Sequence, residues 1–205
     1  MASVGSSRTS TAMALCRALS VGTSLALAAT LGAGLPAHAG TAKATATATA
    51  RAAATSACRI QPYGLIGARW SELGGENSAL GCPRTSEVDV YLDGVWAGRR
   101  QNFLRGQMVW SPRQGPKLVV SAWSIGGYAY VDWRTTAPRS YDRFLVRWTS
   151  AADRAGTQRD IGGGTSGRMR VRVMTTSGYR FIVEGCDNGT FSSSCKQGWT
   201  LSVTA

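Results

Sequence analysis

Apolar and polar side chains alternate with a period of two through most of residues 117–205. Alternation of this kind is typical of β-strands that bury one face. Six segments show it: residues 118–123, 128–134, 143–149, 168–175, 179–185 and 199–204. Turn-rich stretches separate them, including the glycines at 162–164. The spacing predicts a β-sandwich over residues 116–205.

The alternation also predicts which side chains of this sandwich face its core. The inward set is Val131, Trp133, Phe144, Val146, Trp148, Met169, Val171, Val173, Tyr179, Phe181, Val183, Leu201 and Val203. Arginines occupy the outward positions of the fourth segment, at Arg168, Arg170 and Arg172. Such a row can bind phosphate or carboxylate groups through planar paired hydrogen bonds. The alternative is that it keeps the face soluble and discourages pairing with another strand.

Residues 58–115 have a different pattern, rich in glycine and in single aromatic residues. A short helix or turn is expected over residues 65–73. Residues 87–92 and 95–99 are expected to form a hairpin, because Asp93-Gly94 is a strong hairpin turn signal. A further short strand is predicted over residues 106–110.

An ordered set of motifs runs through this segment: Trp70, Leu73-Gly74-Gly75, Leu80-Gly81-Cys82-Pro83, Glu87, Gly94, Gln101 with Phe103, Gly106 and Trp110-Ser111-Pro112. The set resembles the LGFP repeat of secreted actinobacterial cell-envelope proteins. Cys82 stands where the tetrapeptide that names the family has phenylalanine. The resemblance implies a small module, residues 58–115, that anchors the chain to the cell wall.

The order of motifs in residues 116–205 resembles a fibronectin type III domain, which has an immunoglobulin-like sandwich fold. Trp133 in Val131-Asp132-Trp133 stands where that family has the tryptophan of its second strand. Tyr179 stands where the family has its tyrosine-corner residue, and Val173 replaces the usual leucine six residues earlier. The fold expected for the whole chain is therefore mainly β: an LGFP-like module followed by a fibronectin type III-like sandwich.

Residues 1–39 are predicted to be a secretory signal peptide. Arg8 and Arg17 precede the uncharged apolar stretch of residues 18–36, and Ala37-His38-Ala39 is a cleavage site of the small-x-small type. A transmembrane anchor is the alternative, although glycine and proline interrupt the stretch. Residues 40–57 alternate alanine and threonine and are predicted to be a flexible linker. No membrane span is expected after signal cleavage.

Cleavage would leave four cysteines, which allow three pairings. Proximity in the sequence favours Cys58–Cys82 and Cys186–Cys195, and export permits both disulfides. The second disulfide would pin a polar loop whose one aromatic residue is Phe191. Phe191 is predicted to be an exposed anchor for a ligand; the alternative is that it folds back over the end of the sandwich.

Two further ligand-binding candidates lie in residues 58–115. Trp96, beside the predicted turn, is expected to be an exposed platform for a sugar ring, whereas Trp70 and Trp110 are expected in the core. Glu87 is the acid of the module pattern. It can bind a ligand or, equally, accept hydrogen bonds from nearby backbone amides.

Cleavage would also remove His38, the only histidine. The mature chain then has no residue for serine–histidine–aspartate or cysteine–histidine catalysis, nor for the usual histidine zinc sites. No nucleophile motif and no spacing that marks a pair of catalytic carboxylates is present. The chain is therefore expected not to be an enzyme and to need no cofactor and no metal.

The sequence has 23 basic and 11 acidic residues, a net charge of +12. This balance favours an anionic partner, although an arginine-rich solvated surface is the alternative. No nucleic-acid-binding motif is present. The expected function is that of an exported, monomeric cell-envelope protein that binds peptidoglycan or an anionic wall polysaccharide. A secreted effector or inhibitor that binds a protein through the Cys186–Cys195 loop is the second hypothesis, and a hydrolase of wall glycan is the third.

Overall fold

Two antiparallel sheets and one α-helix make up residues 58–176, 178–189 and 193–205, the part of the chain that the computed structural model describes. The expectation of a mainly β fold of sandwich type is confirmed for these residues. The predicted signal peptide, the predicted linker and Phe191 lie outside them.

The elements follow the predicted order closely. They are α1 (Gly64–Glu72), β1 (Val88–Leu92), β2 (Val95–Phe103), β3 (Gly106–Trp110), β4 (Val119–Ile125), β5 (Tyr128–Arg134), β6 (Tyr141–Thr149), β7 (Thr157–Gly164), β8 (Ser166–Arg172), β9 (Arg180–Asn188), β10 (Ser193–Ser194) and β11 (Val203–Thr204). The predicted helix, the Asp93-Gly94 hairpin and the strand over 106–110 are all present. Both predicted disulfides form.

The first sheet contains six strands in the order β1-β2-β3-β4-β5-β8. The second has the order β10-β9-β6-β7, and β11 also pairs with β9. Because β3 pairs with β4 from Gly106↔Trp123 to Trp110↔Val119, the first sheet runs across the predicted boundary between residues 115 and 116. The division into two domains stays a prediction about folding.

The main core lies between the two sheets. Trp133 of β5 packs edge-on against Phe144 of β6, with ring centroids 5.2 Å apart, and both side chains are fully buried. All the predicted inward side chains belong to this core or pack against it. Burial of alternate apolar side chains from both sheets is the main force that holds such a sandwich together.

The opposite face of the first sheet, here called the outer face, has a second core. Residues 58–86 lie across the middle of this face, with Ile66 and Trp70 of α1 packed among Met108, Val119 and Trp123 of the sheet. The Cys58–Cys82 disulfide holds this covering segment together. α1 therefore covers β3 and β4 and leaves the outer face open on either side.

Two predicted details were wrong. Gly162–Gly164 is not a turn but the end of strand β7, which lies at the sheet edge and among the described strands pairs only with β6. Its side chains are mostly exposed, so its sequence shows no apolar alternation. Within residues 199–204 only Val203–Thr204 is a strand. Thr200 still bonds Val183 through its backbone N–H and its hydroxyl, but the side-chain amide of Gln114 bonds Gly185 N and Val183 O, the groups that a longer strand would pair with.

Candidate functional site

The outer face carries nearly all the predicted ligand-binding residues that the structure describes. Glu87 and Trp96 lie on the side of β1 and β2, and the three arginines lie on β8 at the far edge of the same sheet. The covering segment separates these two groups. Phe191 lies outside the described residues, so its role stays a prediction.

The first group is here called the aromatic patch and consists of Tyr63, Glu87, Asp89, Trp96, Arg99 and Trp110. Its rings are accessible: Tyr63 is 55% exposed and Trp96 is 39% exposed. Trp110 is half-buried and meets Trp96 edge-on at 5.3 Å between ring centroids. Trp70, by contrast, is buried in the second core, as predicted.

A glycine bulge brings these side chains onto one face. Strict alternation would put Trp96 and Arg99 on opposite faces of β2, but the pairing of β1 with β2 shifts between Val90 and Tyr91. Gly98 lies opposite this shift with φ +144°, and a β-carbon there would meet the Trp110 carbonyl oxygen at 2.0 Å. Only glycine fits such a position without strain.

Arg99 is the centre of the aromatic patch. Its Nε donates to Asp89 Oδ1 at 3.0 Å, and its Nη1 donates to Glu87 Oε1 at 3.3 Å and to the Tyr63 hydroxyl at 3.2 Å. Trp96 Nε1 also donates to Asp89 Oδ1, at 2.9 Å. These bonds fix the orientation of both exposed rings, and fixed rings bind a sugar at a lower entropic cost than mobile ones.

The two carboxylates of the patch have different environments. Hydrogen bonds from Trp96 and Arg99 lower the pKa of Asp89, which is exposed. Burial raises the pKa of Glu87 against the opposing effect of Arg99. The Glu87 side chain is only 4% exposed, and its Oε2 has no hydrogen-bond partner among the described residues. Glu87 therefore supports Arg99 from below and does not point at solvent.

The second group is here called the arginine ladder and consists of Arg168, Arg170 and Arg172 with Trp123, Tyr128 and Tyr130. The three arginines are exposed while Met169 and Val171 between them are buried, as the alternation predicted. Trp123 and Tyr130 stack with a centroid distance of 5.5 Å and an interplanar angle of 5°. Tyr128 meets Tyr130 edge-on at 6.3 Å.

Arginines and rings interleave across the ladder. The Arg170 guanidinium lies 4.5 Å from the centroid of Tyr128, and Arg168 lies 5.5 Å from that of Trp123. Arg170 Nη1 also reaches the Tyr130 hydroxyl at 3.4 Å. A stacked guanidinium keeps its edge free for an anion. The half-buried rings of Tyr128 and Tyr130 add flat apolar surface to this charge, whereas Trp123 is buried and supports Arg168 from below.

A buried ion network lies beneath the ladder. Asp132 of β5 accepts from Arg69 of α1 and, at 2.9 Å, from Arg168 Nε, and Arg69 also bonds Glu72 at 2.7 Å. The Asp132 side chain is 7% exposed. Arg168 is thus partly neutralised, while Arg170 and Arg172 form no ion pair with any described residue.

Neither group of residues with metal-ligand atoms fits a metal. Among the described residues these groups are Cys58, Glu76 and Cys82, and Glu184, Cys186 and Cys195. In each, both sulfurs are joined in a disulfide, and metal ions bind thiolates rather than disulfide sulfur.

The ladder's rings and Asp132 were not among the predicted site residues. Tyr128, Tyr130 and Asp132 alternate along β5 with the same period as the arginines, which was the available signal, whereas Trp123 lies on the neighbouring strand β4. Their meeting depends on the pairing of β5 with β8, from Tyr128↔Arg172 to Arg134↔Ser166, which alternation does not specify.

Comparison with protein-family models, curated proteins and solved structures found no match for this chain. Among the described helices, none has the length and apolar character needed to cross a bilayer.

Proposed function

We propose that this chain is an exported, non-catalytic protein of the cell envelope that binds an anionic cell-wall polymer through its outer face. The observation that carries the proposal is the arginine ladder, in which charged and aromatic side chains alternate on one open surface. Arginines two residues apart on a strand lie about 7 Å apart. That spacing suits the repeated phosphate or carboxylate groups of a linear polymer.

The aromatic patch supplies the second half of the proposed mechanism. Tyr63 and Trp96 present fixed, exposed rings, and such rings bind the apolar faces of sugars. The ladder would capture the polymer by charge, and the patch would retain it by stacking. Two weak sites on one chain give an affinity well above that of either site.

Two further observations support the setting. Disulfides are typical of exported proteins, and the described residues contain two. The Tyr179 hydroxyl bonds the backbone upstream, accepting from Met174 N at 2.6 Å and donating to Arg172 O at 3.3 Å, which is the arrangement of a tyrosine corner. With Trp133 in the core, it favours the fibronectin type III-like interpretation of residues 116–205.

Binding to purified cell wall tests the proposal. The double variant Arg170→Ala/Arg172→Ala is expected to bind roughly tenfold more weakly at low salt, because it removes two charge-assisted contacts. The control is Arg84→Ala/Arg154→Ala, which removes two exposed arginines elsewhere and should bind like wild type. Half-molar salt should abolish most of the difference. Equal loss in both double variants would show a net-charge effect and contradict a specific site.

The aromatic contribution has its own test. Trp96→Ala is expected to leave low-salt capture nearly unchanged and to reduce the fraction retained in half-molar salt, because ring stacking is not screened. Ile125→Ala, which shortens another exposed apolar side chain of the first sheet, is the control. Retention of Trp96→Ala at the wild-type level would remove the patch from the mechanism.

A further inference from the structure

A cavity of about 350 Å³ opens at the edge of the sandwich, beside the end of β1. It lies away from the outer face, between the first sheet and the segment that precedes β11. Its walls combine aliphatic side chains with two cations: Val90, Leu92, Ile182, Leu201, Arg100 and Arg180. A volume of this size holds a small group rather than a polymer.

Neither arginine of this cavity forms an ion pair with a described residue. Arg100 faces inward from β2 and donates from Nη2 to the Ser202 carbonyl at 3.2 Å. Its Nε is buried without a hydrogen-bond partner among the described residues. No aspartate or glutamate of the described chain lines the cavity. Burial and the nearby Arg180 both lower the pKa of Arg100, because a buried cation beside a like charge is unfavourable. An anion in the cavity would relieve both effects.

The strand beside the cavity is an edge strand whose C-terminal half is exposed and apolar. β1 is the last strand of the first sheet and pairs only with β2 among the described strands. It has no lysine or proline, two residues that block sheet edges. Its charged residue, Asp89, precedes the bulge between Val90 and Tyr91, so the two residues after the bulge carry no charge. Tyr91 is 59% exposed, Leu92 46% and Val95, the first residue of β2, 67%. An exposed apolar edge of this kind is the surface to which an extended peptide adds as a further strand.

We propose that this edge binds the C-terminal end of an extended peptide whose last side chain is aliphatic. The carboxylate lies between Arg100 and Arg180, the last side chain lies among the aliphatic residues of the cavity, and the peptide backbone pairs with β1. The charge and the apolar walls select an aliphatic carboxylate, and the adjoining strand edge selects a peptide over a fatty acid. This site is separate from the arginine ladder and goes beyond the proposed function.

Fluorescence anisotropy with the full chain tests the proposal. The probe is an N-terminally labelled hexapeptide of alternating threonine and valine that ends in a free valine carboxylate. The same peptide as its C-terminal amide is expected to bind at least tenfold more weakly, because it loses a charge-assisted contact. A peptide N-methylated at alternate residues, which cannot donate to a strand, should lose affinity similarly. Equal affinities of the free-acid peptide and its C-terminal amide would overturn the proposed binding of the carboxylate.

Variants then locate the site on the protein. Arg180→Ala removes an exposed side chain. It is expected to weaken binding of the carboxylate peptide at least tenfold and to leave the affinity for the amide peptide unchanged. Arg172→Ala removes the same charge from the ladder and should leave peptide binding within twofold of wild type. Conversely, Arg180→Ala should bind cell wall as the wild type does. A failure of the peptide-site proposal is therefore distinguishable from a failure of the proposed cell-wall function. Unchanged peptide affinity in Arg180→Ala would overturn the proposal.

A fatty acid provides the remaining arm of the test. Octanoate carries the carboxylate and the aliphatic group but cannot pair with a strand, so it is expected to compete only weakly against the peptide. Competition by octanoate at the peptide's own affinity would show that the cavity alone binds and that β1 takes no part, which would overturn the peptide assignment.

Discussion

Gly98 is the residue on which the aromatic patch depends, because its bulge turns Trp96 and Arg99 to the same face. We predict that Gly98→Ala lowers the free energy of unfolding by about 3 kcal/mol, since its β-carbon would lie 2.0 Å from the Trp110 carbonyl oxygen and its positive φ disfavours a side chain. Urea denaturation measures the change. Gly162→Ala is the control, because no atom lies within 4 Å of the added carbon and the effect should stay within about 0.5 kcal/mol.

Glu184 gives a pH-dependent prediction at the same scale. Burial raises the pKa of this carboxyl, so the folded chain holds the proton more tightly than the unfolded chain does. Stability from this group is therefore greatest below the ordinary glutamate pKa and is lost as pH rises through the raised value. We predict that Glu184→Gln is more stable than wild type at pH 7 and shows no such advantage at pH 3.5.

Thermal unfolding of wild type and Glu184→Gln between pH 3.5 and 7 measures how their stability difference depends on pH. The gap in melting temperature between Glu184→Gln and wild type should widen steadily as pH increases. A gap that stays constant, or that narrows toward neutral pH, would contradict a raised pKa for Glu184.

At the scale of elements, a buried ion network joins α1 to the first sheet. We predict that Asp132→Ala destabilises the fold by about 3 kcal/mol, because it leaves the buried Arg69 guanidinium with Glu72 as its one ion-pair partner among the described residues. The double variant Arg69→Met/Asp132→Leu, which removes both charges, should lose less free energy of unfolding than Asp132→Ala alone. A double variant less stable than the single one would mean that the network contributes more than its charges cost to bury.

The two disulfides constrain elements of different size. Cys58–Cys82 spans 24 residues and Cys186–Cys195 spans 9, so the chain-entropy model gives about 3.5 and 2.7 kcal/mol of stabilisation. We predict that replacing the first pair with alanines lowers the free energy of unfolding more than replacing the second. Chemical denaturation of the two double variants measures this, and a larger loss for the shorter loop would contradict it.

Elements with one buried face were predictable, and those held by polar side chains were not. Alternation correctly assigned β5 and the outward arginines of β8, because hydrophobic burial sets both. The same signal fails at β7, whose side chains are mostly exposed. It also fails at residues 199–202, where Gln114 replaces a neighbouring strand by bonding Val183 and Gly185. Hydrogen bonds from a glutamine in a distant loop produce no periodic pattern in the sequence.

The candidate site shows the same limit. The sequence indicated the chemistry of its members, from the arginine row to Trp96, but not the neighbours that orient them. Arg99 meets Tyr63 and Asp89 only because of the Gly98 bulge, and the ladder's rings meet its arginines only through strand register. Contacts between segments far apart in the chain are set by tertiary packing, which local patterns do not record.

At the scale of the whole molecule, residues 58–115 and 116–205 share a sheet and a core. β3 pairs with β4 along five residue pairs, and the second core joins Ile66 and Trp70 to Val119 and Trp123. Unfolding either segment alone would expose this core and leave an unpaired sheet edge, so we expect neither to be stable without the other.

We therefore predict one cooperative thermal transition for the disulfide-bonded chain. Calorimetry should give equal calorimetric and van't Hoff enthalpies, and tryptophan fluorescence and circular dichroism should change together. The control is Ile66→Ala, which removes apolar contacts from the second core alone and should lower the free energy of unfolding by about 2–5 kcal/mol. The melting temperature of the single transition should fall accordingly, without a second transition appearing. Two separate transitions, or a split in Ile66→Ala, would mean that the segments fold independently and that the shared sheet contributes little to their coupling.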